Sequence, residues 1–305
     1  MKRLALIAAL AASLLAGPAL AQDKLKVVAT FSILADFVRN VGGDRIALTT
    51  RVGPNGDAHV YSPSPADARK LAAAKLVFVN GLGFEGWIDR LVKASGTKAA
   101  VVRTTSAMLA LPHDEPPRGH KGHAHGHSHG KLNPHAWHMI QNVRIYVMNI
   151  FHALAQADPA GREIYERNSW DYQAKLQELE EEIKALVDKI PAERRRAITN
   201  HDAFRYFAMF YDFEFIAPQG VSTESEASAR DVARIIAQIK KQKIPAVFLE
   251  NVTDPRLLKR IADETGAKIG GTLYSDALTD DKGPAPTYID LMRHNVKTLS
   301  AALMP

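Results

Sequence analysis

Apolar runs rich in β-branched residues alternate along this chain with stretches whose apolar positions recur every three or four residues. Repeated alternation of this kind is the pattern of parallel strands connected by crossover helices. The runs predict strands at Lys26 to Phe31, Ile46 to Val52, Leu76 to Asn80 and Ala99 to Arg103. A second set falls at Ala197 to Asn200, Phe213 to Ala217, Ala246 to Glu250 and Lys268 to Leu273. The expected fold is therefore α/β, with two lobes that each carry a roughly four-stranded parallel sheet flanked by helices. Between the sets, Ile164, Tyr172, Leu176, Leu179, Ile183, Leu186 and Ile190 stand apart by helical steps with Glu and Lys among them. They predict one long amphipathic helix joining the lobes, closed by Pro191. A stiff connector of this kind restrains the lobes more than glycine-rich strands would.

Two segments break the alternation. Residues 1–21 carry Lys2 and Arg3, an apolar run from Leu4 to Leu15 and a small-residue site at Ala19-Leu20-Ala21. They read as a cleaved secretory signal, because the apolar run is shorter than the ~20 residues a helix needs to cross a membrane. Residues 113–130, HDEPPRGHKGHAHGHSHG, hold almost nothing apolar and have no means of forming a core. Their histidines, His113, His120, His123, His125, His127 and His129, are candidates for weak auxiliary metal binding. The expected organisation is thus a leader at 1–21, an N-terminal lobe at 22–160, a linker helix at 161–190 and a C-terminal lobe at 191–305.

Composition narrows the chemistry. The 305 residues include no cysteine, which removes thiolate zinc sites, iron–sulfur clusters and thiol catalysis. It also removes a lipid-modified cysteine, so the mature protein is expected to be free rather than lipid-anchored. The net charge of +6 falls to +4 once Lys2 and Arg3 are lost, too diffuse for nucleic acid. The basic run Arg194-Arg195-Arg196 reads as a solvated loop before a strand.

Any metal must then bind through nitrogen and oxygen, and four residues stand where ligands bind in open parallel sheets, beyond the carboxyl ends of strands. His59 follows the second strand, His135 follows the fourth, His201 follows the first strand of the second lobe, and Asp276 follows the last strand. Three imidazoles and one carboxylate complete a tetrahedral set for Zn²⁺, whereas manganese is better served by more oxygen. His138, three residues beyond His135, is an alternative ligand; His135 is preferred because Pro134 suits a first helical turn and Trp137 can shield the site. His152 and His294 fall in predicted helices without partners and are read as structural. Asp57, Asn133 and Asp202 can orient the imidazoles or simply shape turns.

Around these residues the chain resembles the solute-binding proteins of metal-ion ABC transporters, the cluster A-I group, and within it the periplasmic zinc-uptake type. The segments that carry the resemblance are HVYSPSPAD, NPHAW, HDAFRYF, GVSTESEASARDV and LYSDAL, together with the internal histidine-rich loop. The resemblance implies two (βα)₄-like lobes on one backbone helix, ligands at His59, His135, His201 and Asp276, one tightly held Zn²⁺, and an inner-membrane ABC permease as partner. Manganese-type members place a carboxylate at the third position, where this chain has His201. Asn133 stands where many members carry Asp.

The implied role is capture of Zn²⁺ between the lobes for high-affinity uptake, by a monomer free in the periplasm, with a periplasmic metallochaperone as a further candidate partner. The alternatives are a manganese or iron cargo, or a metallochaperone of the same fold. A zinc hydrolase is the rival from another class. It is disfavoured because no HExxH motif is present, four ligands close the site, and only Glu224 and Glu226 offer themselves as a base.

Overall fold

A computed structural model describes residues 23–113 and 132–305. The expected leader, and the loop histidines His120, His123, His125, His127 and His129, lie outside the described residues.

The first lobe begins with β1 (Leu25–Phe31), α1 (Ser32–Gly42), β2 (Ile46–Val52) and α2 (Pro65–Ala72). It continues with β3 (Leu76–Val79), α3 (Ile88–Ser95), β4 (Ala100–Arg103) and α4 (Ile140–Ala157). The long helix α5 (Arg162–Val187) follows. The second lobe holds β5 (Arg196–Ile198), α6 (Arg205–Tyr211), β6 (Glu214–Ile216), α7 (Ala229–Gln242), β7 (Ala246–Glu250), α8 (Arg256–Thr265), β8 (Lys268–Leu273) and α9 (Tyr288–Leu303).

Both sheets are wholly parallel and share one strand order, β2-β1-β3-β4 and β6-β5-β7-β8. Helices on both faces account for the unbroken apolar runs of the inner strands: all of β3 is buried, while the edge strand β4 is largely exposed. Strands β5 and β6 are shorter than the apolar runs suggest. Asn200 leaves the sheet because its N–H is taken by a carboxylate oxygen of Glu250 at 2.6 Å. Phe213 is held back by a bond to the Ala208 carbonyl that closes α6, with Asp212 in the left-handed region at φ 56°.

Helix α5 spans 26 residues, about 39 Å at 1.5 Å per residue. Its buried stripe is Tyr165, Ser169, Tyr172, Leu176, Leu179, Ile183 and Val187, packed against α1, α4 and α9. Ile164 and Leu186, expected in that stripe, sit on its half-buried shoulder.

The lobes share their main core, and the second lobe has a smaller apolar cluster of its own, with Ile198, Ile235, Val247, Leu258 and Ile261. One apolar cluster runs from Val27 and Phe37 in the first lobe, through Leu176 and Ile183 of α5, to Phe248, Leu291 and Leu299 in the second. Buried polar contacts tie the same boundary: Trp137 Nε1 donates to the Ser275 carbonyl at 2.9 Å and Tyr288 OH to the Trp137 carbonyl at 2.7 Å. Leu278 N–H donates to Ser32 Oγ at 2.9 Å and Tyr288 N–H to Asp36 Oδ2 at 3.1 Å. No helix among the described residues is long and apolar enough to cross a membrane.

Candidate functional site

Each of the four residues beyond the strand ends is set in place by its own local structure. After β2, the Pro54-Asn55-Gly56 turn puts Asn55 at φ 56°, a conformation that Asn tolerates better than most residues. Asp57 Oδ1 then accepts the His59 N–H at 2.9 Å. Beyond His59 the chain is held by Asp67, which accepts from Tyr61 OH and the Ser64 N–H, both at 2.8 Å, and pairs with the buried Arg51. Ser64 and Asp67 form the capping box of α2, with Pro65 in its first turn.

His135 stands in front of a single 3₁₀ turn, Ala136–His138, rather than inside a helix beginning at Pro134. Asn133 Oδ1 faces both the His135 N–H at 3.0 Å and its Nδ1 at 2.9 Å, and Asn133 Nδ2 donates to the Asp202 carbonyl at 3.0 Å. Asn133 therefore directs Nε2 of His135 towards the other lobe. His135 lies outside the 3₁₀ turn, at φ −80° and ψ 44°, so a spacing of three does not put His138 on its face. His138 is buried against Phe204, ring centroids 4.6 Å apart. Burial depresses its pKa to about 3, so it is neutral.

His201 leaves β5 in a turn held by Glu250, whose Oε1 accepts the N–H groups of Asn200 and His201 at 2.6 and 3.0 Å. Glu250 Oε2 lies 2.6 Å from His201 Nδ1, which leaves Nε2 facing the cleft. The sequence reading missed Glu250. Its signal was an acid at the end of the apolar strand AVFLE, a position that demands a buried partner. Glu85 is a similar case in the first lobe, buried on Thr30 Oγ1 at 2.6 Å and on the N–H groups of Asn80 and Gly81 at 2.7 and 3.1 Å.

Asp276 follows β8 and completes the group. His59 Nε2 lies 3.3 Å from His135 Nε2 and 3.2 Å from Asp276 Oδ2. Asp276 Oδ1 is 3.5 Å from His135 Nε2, and Oδ2 is 3.1 Å from His201 Nε2. All four donor atoms fall within 4.8 Å of one another. His135, His201 and Asp276 are fully buried and His59 is 4% exposed. Phe84 and Trp137 stand edge-on to these rings, His59 to Phe84 at 4.7 Å and His135 to Trp137 at 5.3 Å. Burial holds the His135 pKa at about 4, against the pull of Asp276. Burial also opposes charge on His201, but Glu250 and Asp276 outweigh it and hold its pKa well above the usual range. For Asp276, burial is outweighed by His201 and His135, which keep the carboxyl far below its usual range. A cation bound at His201 Nε2 displaces that proton.

The remaining candidates lie elsewhere. His152 is exposed on α4, and His294 binds the Thr272 carbonyl at 3.0 Å, joining α9 to β8. Asp57 and Asp202 act through the backbone of His59 and through Asn133. Glu224 lines a cavity beside His59, and Glu226 is exposed. His113 lies at the edge of the described residues, near the bridge between Pro112 and Leu132.

Comparison with known proteins places the chain. Residues 27–302 match the family model described as zinc-uptake complex component A, periplasmic. The iron-binding protein YfeA of Yersinia pestis is 35% identical over 278 residues, 91% of this chain and 86% of that protein. The manganese-binding lipoprotein MntA of Halalkalibacterium halodurans is 35% identical over 281 residues, 92% of this chain and 89% of that protein. Among solved structures, the periplasmic zinc binding protein TroA of Treponema pallidum superposes with a TM-score of 0.83 at 30% identity, covering 93% of this chain and all of that one. The expectation of an unanchored protein is corrected here. MntA and other relatives are named as lipoproteins, proteins held at a membrane, which conflicts with that expectation. The chain belongs to the zinc-uptake complex component A family, the periplasmic metal-binding proteins that serve ABC transporters and their permeases rather than catalyse reactions.

Proposed function

We propose that this protein captures Zn²⁺ between its lobes, on His59, His135, His201 and Asp276, and delivers it to an ABC permease. One observation carries the reading: three imidazole nitrogens and a carboxylate converge with four separations of 3.1–3.5 Å. A zinc tetrahedron with bonds of 2.0–2.1 Å to nitrogen and oxygen has edges of about 3.3 Å, which these four pairs approach while the whole donor set spans up to 4.8 Å. A nitrogen-rich set also favours zinc over manganese. Four protein ligands leave no open position for activated water, which argues against hydrolysis. The six imidazoles from His113 to His129 add weaker sites, since ordering such a segment costs chain entropy.

A manganese or iron cargo is the second reading, supported by the names of YfeA and MntA. Titration of the metal-free protein lacking residues 113–130, with Zn²⁺, Mn²⁺ and Fe²⁺ in turn, decides between them. The expected outcome is one tight Zn²⁺ per chain with a raised thermal midpoint and weaker binding of the other two. Tighter binding of Mn²⁺ than of Zn²⁺ would replace the first reading by the second.

A further inference from the structure

Among the four clustered side chains, His59 alone has any exposure, 4% against none for His135, His201 and Asp276. On its outer side lies a cavity of about 380 Å³ lined by His59, Tyr61, Gly86, Trp87 and Arg90 from the first lobe and by Glu224 from the second. The second lobe's share comes from the segment between β6 and α7, which has no regular structure around Val221 to Ser225. A short hydrogen bond ties that segment across the gap: Thr223 Oγ1 donates to Asp57 Oδ2 at 2.5 Å. The same carboxylate accepts the His59 N–H through its other oxygen. On the far side of the turn, Asn55 N–H is fixed to the Leu278 carbonyl at 2.8 Å. The loop that carries His59 is thus fixed to the second lobe by main chain at Asn55, to its own lobe by the Trp87 Nε1 bond to the Ala58 carbonyl at 2.8 Å, and to the facing segment through Thr223 and Asp57.

We propose that the metal ion enters and leaves past His59 through this cavity, and that the Thr223–Asp57 hydrogen bond is the latch that sets the rate of exchange. The inference rests on the zinc reading above for its cargo. Breaking the latch frees the second-lobe segment and the His59 turn to part locally, without disturbing the apolar core shared by the lobes. A latch that closes over empty and loaded sites alike changes both rates and leaves the equilibrium where it was.

Two substitutions move exchange in opposite directions. Thr223→Val removes the donor while keeping the shape, and capture and release of Zn²⁺ should both quicken about tenfold or more, with the dissociation constant changed less than about threefold. Thr223→Ser keeps the hydroxyl and should restore the original rates. Gly86 faces open space, with no atom within 4 Å of an added Cβ, so Gly86→Phe should narrow the cavity and slow both rates without unfolding the chain. The measurement is stopped-flow exchange of Zn²⁺ with a fluorescent chelator, with circular dichroism to confirm folding. Unchanged rates in both Thr223→Val and Gly86→Phe would overturn the route. A wild-type protein that holds no Zn²⁺ would instead overturn the reading beneath it.

Discussion

Removing one imidazole or the carboxylate from a buried four-donor site leaves the ion short of a ligand. His59→Ala, His135→Ala, His201→Ala and Asp276→Ala are each expected to lower metal affinity by about a hundredfold or more, measured by chelator competition. Glu250→Gln should cost about 10–100-fold, because the amide oxygen can still accept the two backbone N–H groups while the charge on the outer side of His201 is lost. His138→Leu should leave affinity untouched, since His138 packs against Phe204 and stands outside the cluster of four donors. Loss of affinity in His138→Leu alongside unchanged His135→Ala would reverse the assignment of those two residues. The convergence of these four side chains was legible in the sequence because strand ends are where parallel sheets bind ligands. Glu250 was not, because its partner lies 49 residues away and only the sheet brings them together.

Among the elements, α1 and α9 meet at a titrating contact. Asp36 on α1 is 3% exposed and accepts the Tyr288 N–H at the start of α9. Burial raises its pKa from 3.8 to about 6, and the Tyr288 N–H and Arg39 offset only part of that. An acid with a raised folded pKa holds its proton more tightly when folded, so its cost is absent in acid. That cost grows as pH rises from about 4 to about 6 and reaches about 3 kcal/mol at neutrality. Asp36→Asn should therefore be more stable than wild type near pH 7.5, and the two should converge near pH 4. Urea denaturation of the metal-free proteins tests this, and an Asn variant weaker at every pH would show that the charge itself is needed. The same elements show what periodicity could and could not convey. Strand positions were legible to within a residue or two in most cases, because buried inner strands must be apolar. The stripe of α5 was shifted by a residue at each end: Tyr165 and Val187, rather than Ile164 and Leu186, face α1, α4 and α9.

At the scale of the whole molecule, a shared core means that the lobes unfold together. A single cooperative thermal transition is expected for the metal-free protein, with calorimetric and van't Hoff enthalpies in agreement. Trp137→Ala should lower that transition as a unit, by about 3–5 kcal/mol, because it removes buried packing and the bond to Ser275 at once. Two resolved transitions would contradict the shared core. That core was invisible to the sequence reading, which saw two sets of strands but not that their helices bury one another. The repeated strand order carries a last consequence. His59 and His135 leave the first sheet after β2 and β4, whereas His201 and Asp276 leave the second after β5 and β8. In the order of the repeat these are the second and fourth strands in one half but the first and fourth in the other. Two copies of either half, paired about a twofold axis, would present four imidazoles or two of each group, never this set. If the halves descend from one ancestral unit, the binding site is younger than the duplication and belongs to the fused chain alone.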